Sequence, residues 1–130
     1  MIINWKDLAI NKGNSCDLFV QFTNEKDEVL IFEENSILYF TLKDNFDATE
    51  YLFQKTSLNG ITYNEEKEGY DIRFNCEDTE DLDYKDYAYD ITVVRNTGLA
   101  SANKKDKTTI LKGYLKIEEV TTFEVNEVSQ

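Results

Sequence analysis

DTEDLDYKDYAYDITVV, residues 78–94, sets an acidic knot directly in front of a run of alternating apolar and polar residues. Asp78 followed by Thr79 and then Glu80, Asp81 and Asp83 predicts an N-cap and first turn, because negative charge suits the exposed N–H groups at a helix start. One short helical turn is therefore expected near residues 78–83, with Leu82 as its inward anchor. Beyond it, Tyr87, Tyr89, Ile91 and Val93 fall on one face of a strand, alternating with Ala88 and Asp90. Both tyrosines are expected to be buried, with at least one hydroxyl bonded to backbone near the turn.

The same period of two extends outward in both directions. Leu18, Val20 and Phe22 share a face in CDLFVQFT (16–23), as do Leu38, Phe40 and Leu42 in ILYFTLKD (37–44). YDIRFN (70–75) sets Tyr70, Ile72 and Phe74 against Asp71, Arg73 and Asn75, and ILKGYLKIE (110–118) sets Leu111, Leu115 and Ile117 against Lys112, Tyr114 and Lys116. LAI (8–10), EVLIF (28–32) and EYLFQK (50–55) are shorter candidates. Turn-forming stretches such as NKGNS, TNEKDE, SLNG and NEEKEG separate the runs, and no long helical stripe appears. The fold class this predicts is all-β: an immunoglobulin-like antiparallel β-sandwich of seven to eight strands in two sheets packed face to face, its corner pinned by a tyrosine. Residues 1–130 read as a single domain, with a core over about 7–119 and a C-terminal extension, 120–130, carrying Val120, Phe123, Val125 and Val128.

The charge narrows the function classes. With 26 acidic against 14 basic residues the net charge is −12, whereas a nucleic-acid binder needs a basic patch to neutralise phosphates. The basic stretch NKKDKTTILKG (103–113) reads as a solvated loop leading into a strand. No nucleic-acid partner is expected. No apolar run reaches the roughly 18 residues of a membrane span, and MIINWKDLAI lacks the features of a signal peptide, so no membrane partner is expected and synthesis in the cytoplasm is.

Catalytic and metal sites find little support. The chain has no histidine, which removes the usual partner of a serine or cysteine nucleophile and the commonest zinc ligand. The acidic knot lacks the glycine and terminal glutamate of a calcium loop. Catalytic, cofactor-binding and metal-binding residues are expected to be none. Cys16 and Cys76 fall on inward parities and are expected to be buried, reduced thiols. Trp5 with Tyr39, Tyr51, Tyr63 and Tyr114 could form an aromatic platform for a protein or a sugar, although outward tyrosines are also ordinary strand formers.

A family resemblance carries the reading further. DLAINKGNSCDLFVQFTN resembles the opening strand of a domain recurrent in tail and baseplate proteins of phages of Gram-positive bacteria. ILYFTLKDNFDATEYLFQK resembles its central strand. GYDIRFNCEDTEDLDYKDYAYDITVV resembles its most distinctive segment, in which Asp-Thr-x-x-Leu precedes Tyr-x-Tyr-Asp-Ile, and TTILKGYLKIEEVTT resembles its closing strand with a Leu-x-Gly step. Together these cover about residues 7–122. NEKDEVLIFEEN departs from the family pattern, lacking its Asp-Gly and Pro-x-Asp-Leu turn. The family is the N-terminal β-sandwich domain of phage baseplate upper proteins and related small tail proteins.

The resemblance implies a non-enzymatic structural component of a phage or prophage tail or baseplate, made in the bacterial host cytoplasm and located in the virion. Its partners would be other tail or baseplate proteins, with a homo-oligomer possible. Trp5, Tyr39, Tyr114, Phe123 and Val125 are the expected interaction residues. The competing expectation is a carbohydrate- or cell-surface-binding module on the same sandwich, because a fold does not determine a function.

Overall fold

The computed structural model describes residues 4–24, 26–32, 36–96 and 105–119. The segments in chain order are β1 (Asn4–Trp5), β2 (Leu8–Asn11), β3 (Cys16–Val20), β4 (Ser36–Lys43), β5 (Phe53–Thr56), β6 (Ile61–Asn64), β7 (Gly69–Phe74), α1 (Cys76–Thr79), β8 (Asp86–Asn96) and β9 (Lys105–Glu118). β1 and β2 are successive pieces of one edge, so the larger sheet is five strands wide: β1/β2–β9–β8–β4–β5. The smaller sheet is β3–β7–β6. The immunoglobulin-like sandwich read from the alternation is the fold of the chain.

The pleat sends alternate residues to opposite faces, and the inward set is the one the sequence selects. Phe40, Leu42, Tyr89 and Ile91 of the larger sheet and Ile72 and Phe74 of the smaller are buried. Phe40 stacks on Tyr89 at 5.4 Å between ring centroids and meets Phe74 edge-on at 5.5 Å. Each such side chain contributes about 1.5–3 kcal/mol through the apolar surface it removes from water. Tyr87 is also buried, and its hydroxyl accepts the Asp83 N–H at 2.8 Å. That is the tyrosine corner, formed as expected at the entry to β8.

Several expectations need correction. The pairing is not wholly antiparallel: β1 and β2 run parallel to β9, with Asn4 opposite Leu111 and Leu8 opposite Leu115. EVLIF does not form a strand. Val29 makes an isolated bridge to Thr23, while Leu30 and Phe32 pack against the core. β6, by contrast, forms from ITYN, a stretch between the SLNG and NEEKEG turns for which no strand was expected. β9 already begins at Lys105, inside the presumed basic loop, and a bulge opposite Ile91 and Thr92 lets both Ile110 and Leu111 face inward. The 120–130 extension, with Val120, Phe123, Val125 and Val128, lies outside the described residues.

The helical turn starts earlier than expected, capped by Asn75 rather than Asp78. Asp78 is its third residue. The Asp78 carboxylate reaches back to accept the Asn75 N–H at 2.8 Å and also takes the Lys55 ammonium of β5 at 2.7 Å. Both side chains of that ion pair are mostly covered. Thr79, fully buried, accepts the Gly13 N–H at 2.8 Å, and Ser15 accepts the Cys76 N–H at 3.0 Å. The acidic knot thus contributes a working capping group, and α1 is tied to the β2–β3 turn and to β5 at once. Asp78→Asn is expected to lower stability by about 2 kcal/mol, since it removes a charge-assisted bond and leaves Lys55 without its partner. Urea unfolding measures it; a change within about 0.5 kcal/mol would show the linkage to be idle.

Neither cysteine is fully buried, against expectation: both are half-covered and neither is in a disulfide. Cys16 does follow its inward parity and packs against the core, but at the open end of β3. Burial, and then the neighbouring Asp17, push its thiol pKa up, with Arg73 opposing. Because the thiolate is the reactive form, Cys16 in a Cys76→Ser background is expected to label severalfold more slowly in native than in urea-unfolded protein at pH 7.5. Equal rates would refute this.

Candidate interaction surface

The outer face of the larger sheet is built from side chains that alternate with the core. Across the strands it reads in rows: Ile37, Val94 and Lys107; Tyr39, Thr92 and Thr109; Thr41, Asp90 and Lys112; Lys43, Ala88 and Tyr114. Trp5 lies beside Lys112 on the edge strand. Two features stand out on this face, one aromatic and one concave.

The aromatic feature is a three-ring cluster of Trp5, Phe46 and Tyr114. Centroid distances are 5.7 Å for Trp5–Phe46, 5.5 Å for Trp5–Tyr114 and 5.4 Å for Phe46–Tyr114, in tilted or edge-on geometries that suit aromatic quadrupoles. Phe46 comes from the β4–β5 connection and must cross β8 to reach β9 and β1. Ala88, the outward residue of β8 at that level, is accordingly only 1% exposed. Lys43 holds the connection in place by donating to the carbonyls of Phe46 at 3.2 Å and Ala48 at 3.0 Å. Lys85 anchors its start through Asp44, holding that exposed carboxyl below its ordinary pKa. On the other flank, one Asp7 carboxylate oxygen accepts both the Trp5 indole N–H at 2.9 Å and the Tyr114 backbone N–H at 3.1 Å. The rings are fixed from both sides yet stay open to solvent: Trp5 51%, Phe46 37% and Tyr114 40% exposed.

The concave feature is a groove of about 480 Å³ lined by Tyr39, Thr41, Gln54, Thr92, Thr109 and Lys107. Its polar floor is largely self-satisfied. Thr92 donates to Asp90 at 3.0 Å, so the 3.0 Å Thr92–Thr109 contact is made with the Thr109 proton, and Gln54 donates to Thr41 at 2.9 Å.

No family model, curated protein or solved structure matches this chain.

Charge sets the face apart. Its outward strand positions carry Lys43, Lys107, Lys112 and Lys116 against Asp86, Asp90 and Glu118, a balance of +1 in a chain of net −12. The β4–β5 connection that brings Phe46 over this face adds the exposed Asp44, Asp47 and Glu50 to it. Exposed aromatic side chains are what the centres of protein contacts are enriched in.

Of the expected interaction residues, Trp5 and Tyr114 are brought together. Tyr39 is on the same face but about 13 Å along β4 from Lys43, at roughly 3.3 Å per residue. Tyr51 is exposed in the β4–β5 connection, while Tyr63 belongs to the smaller sheet, where it packs on Tyr70 at 5.2 Å. The single platform uniting all five residues is therefore not formed. Phe123 and Val125 lie outside the described residues. Phe46 was not anticipated; its one signal is that it is the only large apolar residue in the polar stretch KDNFDATE. Among the described residues, no group of three Cys, Asp or Glu side chains could hold a metal ion, and no helix is long and apolar enough to cross a membrane.

Proposed function

We propose that this chain is a non-enzymatic structural component of a phage or prophage tail or baseplate that acts through protein–protein contacts. One observation carries the reading: the segments that bear the resemblance are tied together as scaffold. Gly13 of the opening motif bonds to Thr79 of the Asp-Thr-x-x-Leu motif, and Ser15 bonds to Cys76. Tyr89 of the Tyr-x-Tyr motif donates its hydroxyl to the Lys6 carbonyl at 2.5 Å, and Gly113 of the closing strand sits opposite Tyr89. Residues used in this way position strands rather than substrates, which leaves contact surfaces as the place of function.

The reading is tested on virions. Particles purified from an induced host should contain the chain, detected by peptide mass spectrometry, and antibody against it should label the tail. Particles devoid of the chain would sink the proposal. Binding to cell-wall glycans on an array by protein that is missing from virions would replace it with the carbohydrate-binding reading.

A further inference from the structure

We propose that Asn59–Gly60, at the corner between β5 and β6, is a site of spontaneous covalent modification where the Asn59 carboxamide is converted to a carboxylate. The Gly60 backbone nitrogen is the nucleophile, and water is the only co-reactant. The site is independent of the tail assignment, since it needs no partner.

The sequence supplies the reactants. A backbone nitrogen closes a five-membered ring on the carboxamide carbon of a preceding asparagine, and a Cβ on the attacking residue crowds that approach. Of the five glycines, only Gly60 follows an asparagine. It stands at φ +108°, a conformation that glycine adopts without steric cost.

The fold leaves both reacting groups free. Among the described residues, nothing accepts the Gly60 N–H and nothing bonds to the Asn59 carboxamide, which is exposed at the corner. Other atoms hold the corner together. The Asn59 N–H donates to the Thr56 carbonyl at 2.9 Å, and the Thr56 N–H donates to the Asn59 carbonyl at 3.0 Å. The Gly60 carbonyl accepts the Arg73 N–H at 2.8 Å.

Other asparagines are engaged where Asn59 is not. The Asn24 carboxamide donates to Glu28, that of Asn64 donates to Asp71, and that of Asn45 accepts the Asp47 N–H. Lys12, which follows Asn11, gives its N–H to the Glu118 carbonyl at 3.0 Å. Asn14 is exposed, but the residue after it is Ser15, whose Cβ crowds the attack.

The chemistry balances without an oxidant or reductant. The Gly60 nitrogen gives up its proton and bonds to Cγ of Asn59. The Cγ–Nδ2 bond breaks, and the side-chain nitrogen leaves as ammonia. Water then opens the cyclic imide. Opening at Cγ gives aspartate with the main chain unaltered, so the Thr56 and Arg73 bonds persist. Opening at the backbone carbonyl gives isoaspartate, which adds a methylene to the main chain and shifts Gly60 relative to Arg73, loosening β6 from β7. Either product places a new negative charge beside Leu58, itself 80% exposed.

Peptide mapping of the folded full chain by mass spectrometry, after prolonged incubation at neutral pH, tests this. The Asn59 peptide should gain the mass of an amide-to-acid conversion severalfold faster than any other asparagine, Asn14 included, with fragment ions separating Asn59 from Asn64. On isoelectric focusing the incubated protein should yield a more acidic band that comigrates with Asn59→Asp. That band should form severalfold more slowly in Asn59→Gln, whose longer side chain would have to close a six-membered ring. Near-UV circular dichroism verifies that both variants fold. An unchanged Asn59 peptide, earlier conversion at another asparagine, conversion confined to urea-unfolded protein, or an acidic band that forms equally fast in Asn59→Gln would each overturn the proposal.

Discussion

Truncating Tyr89 to alanine is expected to destabilise the protein by about 3–5 kcal/mol, the range for removing a large ring from a core. The ring is 1% exposed and stacks on Phe40 with an interplanar angle of 15°. Its hydroxyl reaches the Lys6 carbonyl, 83 residues away in sequence, and so ties the edge strand to the middle of the sheet. Tyr89→Phe separates the two contributions and should cost about 1 kcal/mol, the worth of one hydrogen bond. A pH signature accompanies it. Burial, and then the nearby Asp7 carboxylate, push the Tyr89 phenol pKa well above its ordinary value of 10.0. A group whose folded pKa is raised contributes stability that is complete below the unfolded pKa and is lost as pH rises through the folded one. Stability should therefore decline from about pH 10 upward, and less steeply in Tyr89→Phe. Urea midpoints between pH 8 and 11 report both effects. A cost below about 1 kcal/mol for Tyr89→Ala would place the ring outside the core.

Gly113→Ala is the second large effect, at about 3 kcal/mol, the upper end for forcing volume into a filled site. A Cβ at this position would stand 2.0 Å from the Lys6 carbonyl oxygen and 2.7 Å from its carbon. Both are backbone atoms and cannot swing aside as a side chain would. The break between β1 and β2 passes directly over Gly113, and that approach is what brings the Lys6 carbonyl within reach of Tyr89. Dislodging it should also release the Asp7 clamp on Trp5 and Tyr114. Trp5 is the only tryptophan, so native-state fluorescence should change together with the unfolding midpoint. An unaltered spectrum with a loss below about 1 kcal/mol would show that β9 accommodates the methyl group.

Much of the sandwich is legible in sequence because the pleat is a local rule. Leu38, Phe40 and Leu42, or Ile72 and Phe74, face inward wherever their strands lie. What a single strand does not encode is its neighbour. Nothing in LAI distinguishes parallel from antiparallel pairing with β9, and the inward parity of Tyr63 is the same on either sheet. ITYN offers only Ile61 and Tyr63 to a core, too short a pattern to stand out between two turns. EVLIF shows the converse: Val29, Leu30 and Phe32 are partly buried and Ile31 is exposed, but the backbone is not in a ladder. Asn75 and Asp78 are both good capping residues three positions apart, and in the fold Asp78 takes the inner place, bonded to the Asn75 N–H and to Lys55 of β5. On the candidate surface, Trp5 and Tyr114 are legible as outward aromatics, whereas Phe46 sits in a connection that has no parity to read.

The parallel pairing of the first and last strands also imposes a timetable on biosynthesis. Asp7 and Tyr114, which hold the edge together, are 107 residues apart. At roughly 5–20 residues per second, on the order of 5–20 s separate their emergence from the ribosome. During that interval β3 can find β7, and β4 can find β5 and β8, but β1 and β2 have no strand to join. Closing so long a loop is also entropically the most demanding step. Trp5 and Tyr114 consequently meet late, and the aromatic cluster does not exist on a nascent chain until β9 is in place. The order in which the strands are made thus makes the outer face of the larger sheet the last part of the molecule to be completed.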